Sequence, residues 1–183
     1  MTPPAIRRLT SSELTPDEIR GLRALFAAAW PDPDEAFAEE DWQHALGGVH
    51  VLLEADGRIL SHASVVTRVL EAGGTALRTG YVEAVATWPE LQRQGHGSAV
   101  MREIGDVIGA NYELGALGTG EFAFYESLGW EHWRGPCSVR TPGGAVRTPA
   151  EDGYIMVLRT PATPPDLDLD APISCEWRSG DVW

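Results

Sequence analysis

Residues 79–110, TGYVEAVATWPELQRQGHGSAVMREIGDVIGA, decide how this chain is built. The opening stretch, 79–87, is rich in valine, alanine and threonine and reads as a strand that Pro89 brings to a stop. At the other end Val100, Met101, Ile104, Val107 and Ile108 recur at helical spacing, giving one apolar stripe on a helix over 97–110. Gly105 and Gly109 weaken that helix by ~1 kcal/mol each and leave room for close packing on a sheet. Between strand and helix stands Gln92-Arg93-Gln94-Gly95-His96-Gly97. Two glycines there let the backbone curl so that several N–H groups point into one concavity. The positive end of the helix dipole lies behind them, and the result is a cradle for a pyrophosphate. Lys-Ser/Thr does not follow, as a P-loop requires, and the third glycine of the dinucleotide-binding fingerprint is missing.

Working outward, a first strand is expected over 6–9. A helix follows it, with Thr15 as N-cap, Pro16 at the first helical position and Glu18 closing a capping box. Residues 41–46 read as a short helix stopped by Gly47 and Gly48. Residues 49–54 and 59–70 read as strands of a hairpin turned at Asp56-Gly57. After the central helix come a strand over 113–117, a short helix over 121–128 ended by Gly129, and strands near 130–133 and 154–159. A turn is marked at 142–144. Residues 161–172, with four prolines and three alternating aspartates, read as an extended connection to a last segment, 174–183. Trp177 and Trp183 in that segment argue that the terminus packs back onto the domain. The order predicts an α/β (α+β) fold, a mixed sheet flanked by helices, in one domain over 1–183.

Composition narrows the partners. Acidic residues number 27 against 14 basic ones, a formal charge of -13, and every basic residue is arginine. Such a field repels nucleic acid and favours polycationic small molecules. Six carboxylates crowd residues 32–41, and residues 161–183 hold five against Arg178 alone. The longest apolar run, 24–30, is far below the ~20 residues that cross a bilayer, and residues 1–10 lack the apolar stretch of a signal peptide. A soluble, cytoplasmic protein without membrane attachment is expected. Cys137 and Cys175 lack C-x-x-C spacing and read as free thiols, and no histidine has metal-ligand spacing, so no metal is expected.

Gln/Arg-x-x-Gly-x-Gly between strand and helix resembles the acetyl-CoA motif of the GNAT superfamily of N-acetyltransferases. Residues 41–50 (DWQHALGGVH), 80–85 (GYVEAV), 112–117 (YELGAL), 128–130 (LGW) and 175–183 (CEWRSGDVW) extend the likeness over nearly the whole chain. They resemble the aminoglycoside 2'-N-acetyltransferases, and the closing Gly-Asp-Val-Trp is the most specific of these stretches. The resemblance implies a mostly antiparallel mixed sheet splayed at an acetyl-CoA site, and direct acetyl transfer to the 2'-amino group of an aminoglycoside antibiotic, hence antibiotic resistance. Dimers are frequent in that superfamily, which leaves a homodimer open. Two departures stand out. Gly118 occupies a position where a ligand-contacting hydroxyl is expected, and Ala36 aligns with an acidic residue for which Asp34 or Glu35 would have to stand in.

An alkylamine of pKa roughly 8 to 10 is mostly ammonium at neutral pH and must lose a proton before it attacks a thioester. Glu83 is the first candidate for that base, directly or through a water, with Asp181 and the Trp183 carboxylate as competitors. Tyr125 is placed by the resemblance near the thioester sulfur, as the acid that returns a proton to the thiolate. Val85 and Thr87 are expected to pair with pantetheine through their backbones. Gln92, Arg93, Gln94, Gly95, His96, Gly97 and Ser98 should surround the pyrophosphate. Asp41, Glu83, Glu151, Asp152 and Asp181, with Trp183 and Trp42, would hold the ammonium groups and sugar faces. The same fold could instead acetylate a cell-wall amino sugar, a polyamine or a protein N-terminus, or bind acyl-CoA without turnover.

Overall fold

A computed structural model describes residues 3–34 and 36–183. They form two compact units, one of residues up to Val66 with Val82–Ile104, the other of Thr67–Tyr81 with Gly105–Trp183. Strands β3 (Arg58–Ala72) and β4 (Thr75–Thr87) and helix α3 (His96–Asn111) contribute to both, so neither unit is a continuous stretch of chain.

In the first unit, α1 (Pro16–Ala29) begins where its capping signals put it. Glu18 N donates to Thr15 Oγ1 at 3.3 Å, and Thr15 N donates to the Glu18 carboxylate at 2.7 Å, so two backbone donors are satisfied reciprocally. Helix α2 (Glu39–Ala45) starts two residues earlier than the sequence suggests and stops before Gly47. Strand β1 (Ala5–Thr10) pairs antiparallel with β2 (Val49–Ala55), which pairs antiparallel with β3. The β2–β3 turn uses Asp56 and Gly57 at φ of 50° and 77°, the left-handed pair that a two-residue hairpin turn requires. Gly48, at the entry to β2, passes so close to β3 that a Cβ would lie 1.9 Å from the carbonyl oxygen of Val65. Leu22, Leu25 and Phe26 of α1 and Trp42 of α2 close over Leu9, Leu14, Leu52, Ile59 and Ala86. Each large side chain so buried stabilises the unit by about 1.5 to 3 kcal/mol before entropy is set against it.

The second unit has the strand order β6 (Glu131–His132), β9 (Ile155–Arg159), β5 (Leu114–Gly118), β4, β3, β10 (Ile173–Glu176), β7 (Cys137–Thr141), β8 (Gly144–Arg147). Strand β5 runs parallel to β4 and antiparallel to β9, while β10 runs parallel to β7 and antiparallel to β3, so the sheet is mixed. Two features depart from the sequence reading. Residues 137–147, of which only the turn at 142–144 was expected, form the β7–β8 hairpin, and residues 173–176 enter the sheet. Strand β8 is exposed at every residue and so carries no alternation to read. Trp133 is fully buried, and its indole N–H donates to Ala171 O at 2.9 Å. Gly105 faces β9, where a Cβ would touch the Leu158 side chain at 3.7 Å, whereas Gly109 meets nothing within 4 Å. Trp183 packs back at 4% exposure, but Trp177, expected to do the same, is 58% exposed. Cys137 and Cys175 are free, buried thiols, and burial pushes the Cys137 thiol up to about 12. No helix among the described residues is long and apolar enough to cross a membrane.

Candidate active site

The second half of β4 lies in the first unit, and its backbone is held by side chains of β3. Ser64 Oγ donates to Glu83 O at 3.2 Å, His62 Nδ1 to Ala84 O at 2.7 Å, and Ser61 Oγ to Ala86 O at 3.0 Å. Ala84 has a φ of 52°, a left-handed conformation that costs a non-glycine residue about 1 kcal/mol or more and survives only where its surroundings enforce it. The half-buried Glu83, Val85 and Thr87 lie on β4 on either side of this residue. Thr87 Oγ1 lies 2.8 Å from Ser61 Oγ.

After a turn at 89–91 the chain enters the glycine-bearing bend. Arg93 at φ 59° and Gly95 at φ 86° curl the backbone, and a Cβ on Gly95 would meet nothing within 4 Å. Gln92 Nε2 donates to Thr87 O at 3.5 Å and Gln94 Nε2 to Glu90 O at 3.1 Å, so both glutamine side chains brace the bend. Anions would therefore be met by main-chain N–H groups. Helix α3 starts at His96, placing His96, Gly97 and Ser98 in its first turn, where amides have no intrahelical acceptor. Curled backbone, open space over Gly95 and a four-turn helix behind it fit a pyrophosphate.

Elsewhere in this unit, Asp41 caps α2 by accepting from Ala38 N at 2.7 Å. Trp42 does not offer a face to a sugar: it is 4% exposed, with ring centroids 6.1 Å from Phe26 and 6.2 Å from His50. Its hydrophobic area makes it a core residue. Asp34 and Ala36 are exposed, and Glu35 lies outside the described residues.

The second unit gathers the remaining candidates. Tyr125, in α4 (Phe122–Glu126), is 7% exposed, with rings of Phe124 and Trp130 at 4.9 Å and 6.0 Å. Burial, then the Glu121 charge, raises its pKa, so the phenol stays protonated across the neutral range. Glu151 is half-buried, and burial followed by the charge of Asp181 holds its carboxyl above the usual range. Asp152 serves otherwise. Its oxygens accept from Arg147 Nη2 at 2.7 Å and Cys137 N at 2.8 Å, and the hydrogen bond from Arg147 holds its carboxyl below the usual range.

Residues 178–183 are seated against the segment that carries Glu151. Trp183 Nε1 donates to Thr148 Oγ1 at 2.9 Å, Trp183 N to Asp181 Oδ1 at 3.1 Å, and Arg178 donates to Asp181 O at 2.7 Å and Trp183 O at 2.9 Å. The Arg178 guanidinium also lies 5.6 Å from the centre of the Tyr81 ring. Gly118 borders that ring as well, since a Cβ there would be 3.6 Å from Tyr81 Oη. Arg178 as the clamp of the tail, and Ser61, His62 and Ser64 as braces of β4, were not among the expected site residues. The β2–β3 register could have placed the three on one strand facing β4, but nothing in the pattern identifies their acceptors.

Known proteins bear on what this arrangement is. Residues 10–133 match the family model described as an acetyltransferase (GNAT) domain. An aminoglycoside 2'-N-acetyltransferase of Mycolicibacterium fortuitum is 41% identical over 181 residues, covering 97% of this chain and 91% of its own length. Among solved structures, the GNAT family N-acetyltransferase YhbS from Escherichia coli in complex with CoA superposes with a TM-score of 0.66 at 18% identity, over 96% of this chain and 89% of its own. A GNAT family acetyltransferase from Brucella melitensis in complex with acetyl-CoA gives 0.59 at 19% identity, over 90% and 93%. Other matching structures are longer, and the chain spans 34% of two of them. The matched domain model and the close, near full-length relative together show that the chain belongs to the GNAT acetyltransferases, alongside the aminoglycoside 2'-N-acetyltransferases.

Proposed function

We propose that the protein transfers the acetyl group of acetyl-CoA directly to the 2'-amino group of an aminoglycoside. The family supplies the donor and the reaction class, and the name of the M. fortuitum relative supplies the acceptor. The observation that carries a polycationic acceptor is the pairing of Glu151 with Asp181. Burial and then the charge of Asp181 raise the Glu151 carboxyl, and an ammonium group entering beside the two would relieve both effects.

In this reading the main chain of residues 94–98 binds the pyrophosphate, and Val85 and Thr87 pair with the pantetheine arm. Arg93 and Gln92 shape the bend. Glu83 takes a proton from the ammonium, directly or through a water, freeing the nitrogen lone pair to attack the acetyl carbon. As the C–N bond forms and the C–S bond breaks, Tyr125 gives its proton to the departing sulfur; the proton shed by the new amide nitrogen and the one held by Glu83 pass to solvent, which returns one to Tyr125, for one proton released per turnover. Asp41, Glu151 and Asp181 hold the other ammonium groups and Trp183 faces a ring, while Asp152 keeps the Glu151 segment in place. Glu83 is preferred as the base for its place on β4 beside Val85 and Thr87. A cytoplasmic setting and a homodimer complete the proposal.

The test is to titrate acetyl-CoA by calorimetry and follow free-thiol release with tobramycin, a polyamine and an amino-terminal peptide. Turnover with tobramycin alone is expected. Tight acetyl-CoA binding without thiol release on any amine would replace this reading with a binding module. Turnover confined to another amine would replace the acceptor. Glu83→Gln should lower kcat at least tenfold and flatten the acid limb of its pH profile.

A further inference from the structure

Side chains of β2, β3 and the turn after β1 form a buried hydrogen-bonded series that the reaction scheme above does not use. It runs from Gly47 N to Ser11 Oγ at 2.9 Å, Ser11 Oγ to His50 Nε2 at 2.8 Å, His50 Nδ1 to His62 Nε2 at 2.9 Å and His62 Nδ1 to Ala84 O at 2.7 Å. Both imidazoles are fully buried. The edge of the His62 ring meets Phe26 at 5.3 Å, and Trp42 lies beside His50.

With both rings neutral, only one arrangement of protons satisfies every contact. Ala84 O can only accept, so His62 carries its hydrogen on Nδ1 and its Nε2 is a lone pair. His50 must then donate from Nδ1, which leaves His50 Nε2 as the acceptor of the Ser11 hydroxyl hydrogen. The Ser11 oxygen in turn accepts from Gly47. Desolvation holds both rings neutral, His50 near 4 and His62 near 3.

This series ends at the one strained residue of β4, directly after the candidate base. We propose that His62 is a positioning residue for acetyl transfer: fixed in one tautomer by His50 and Ser11, it holds the carbonyl of Ala84, maintains the left-handed conformation of that residue, and thereby sets the placement of Glu83. The inference rests on the reading of Glu83 as the base. Its chemistry is that of a second-layer hydrogen bond that orients a reacting group. Asparagine can supply an N–H at the Nδ1 position of histidine, whereas leucine cannot.

Two measurements test it. Long-range 1H–15N correlation of the imidazoles should show His50 and His62 both as Nδ1–H tautomers, and an Nε2–H signal from either ring would overturn the assignment. In steady-state kinetics, His62→Leu should lower kcat tenfold or more while the acetyl-CoA Kd moves less than threefold, and His62→Asn should recover most of the loss. Placed on Glu83→Gln, His62→Leu should cost less than threefold further, because both act on one step. Ser11→Ala, at a half-buried turn, gives a milder variant should His62→Leu unfold, and a threefold or greater fall in kcat is expected from it. The two readings fail separately. An unchanged kcat in Glu83→Gln overturns the base assignment, whereas a normal Glu83→Gln loss beside a His62→Leu kcat within twofold of the parent overturns the positioning role.

Discussion

Acidification should unfold this protein well above the carboxylate range, because the buried histidine pair resists protons. In an unfolded chain His50 and His62 titrate near 6.5. In the folded protein desolvation lowers His50 to about 4. Desolvation and then the neighbouring His50 lower His62 to about 3. Below pH 6.5 the unfolded state therefore binds protons that the folded state excludes. The stability contributed by neutrality is complete above that pH and lost as pH falls toward the folded values. One group of this kind gives a slope approaching 1.4 kcal/mol per pH unit, so the pair removes about 2 kcal/mol between pH 6 and pH 5. That is a large part of an ordinary domain's margin. Urea unfolding followed by tryptophan fluorescence at pH 7, 6 and 5 measures it directly, with His50→Gln as the control that removes one titrating ring. The slope should roughly halve in the control. Equal slopes in parent and control, or no loss of stability between pH 6.5 and 5, would refute the argument.

Other outcomes follow from single contacts. Gly48→Ala would press a Cβ into the Val65 carbonyl, which is backbone and cannot yield, so a loss of about 3 kcal/mol is expected in chemical denaturation. Thr15→Ala removes the acceptor of Glu18 N and should cost about 1 kcal/mol, read as a lowered thermal midpoint with unchanged kcat. Tyr125→Phe deletes only the phenol oxygen. It should depress kcat with acetyl-CoA by at least tenfold while the acetyl-CoA Kd stays within twofold, and a parental kcat would remove Tyr125 as the acid.

What could be read in advance was local. The Thr15-Pro16-Glu18 cap, the Asp56-Gly57 hairpin and the 92–98 bend each declare themselves through residue types whose backbone preferences act within a few positions. Strand β10 did not, because four residues after a proline-rich connection hold no information about a parallel partner at Cys137. The left-handed Ala84 was equally silent, since alanine does not advertise a positive φ as glycine or asparagine would. The histidine pair lies between these cases. The hairpin register aligns His50 with Ser64 and Leu52 with His62, so the two rings are diagonal neighbours on one face. The turn type implies as much, but the acceptor that fixes their protons belongs to another strand. In the same way the acidic residues were countable, yet only the fold shows Asp152 neutralised by Arg147 and Glu151 left beside Asp181.

The place of β10 has a consequence for biosynthesis. Strand β10 sits between β3 and β7, both of which precede it in the chain, so during synthesis its two neighbours are made before the strand that joins them. Until residues 173–176 emerge, β3 and β7 present bare edges that invite pairing with other nascent chains. Chains truncated before Ile173 should therefore yield aggregates or chaperone-bound products.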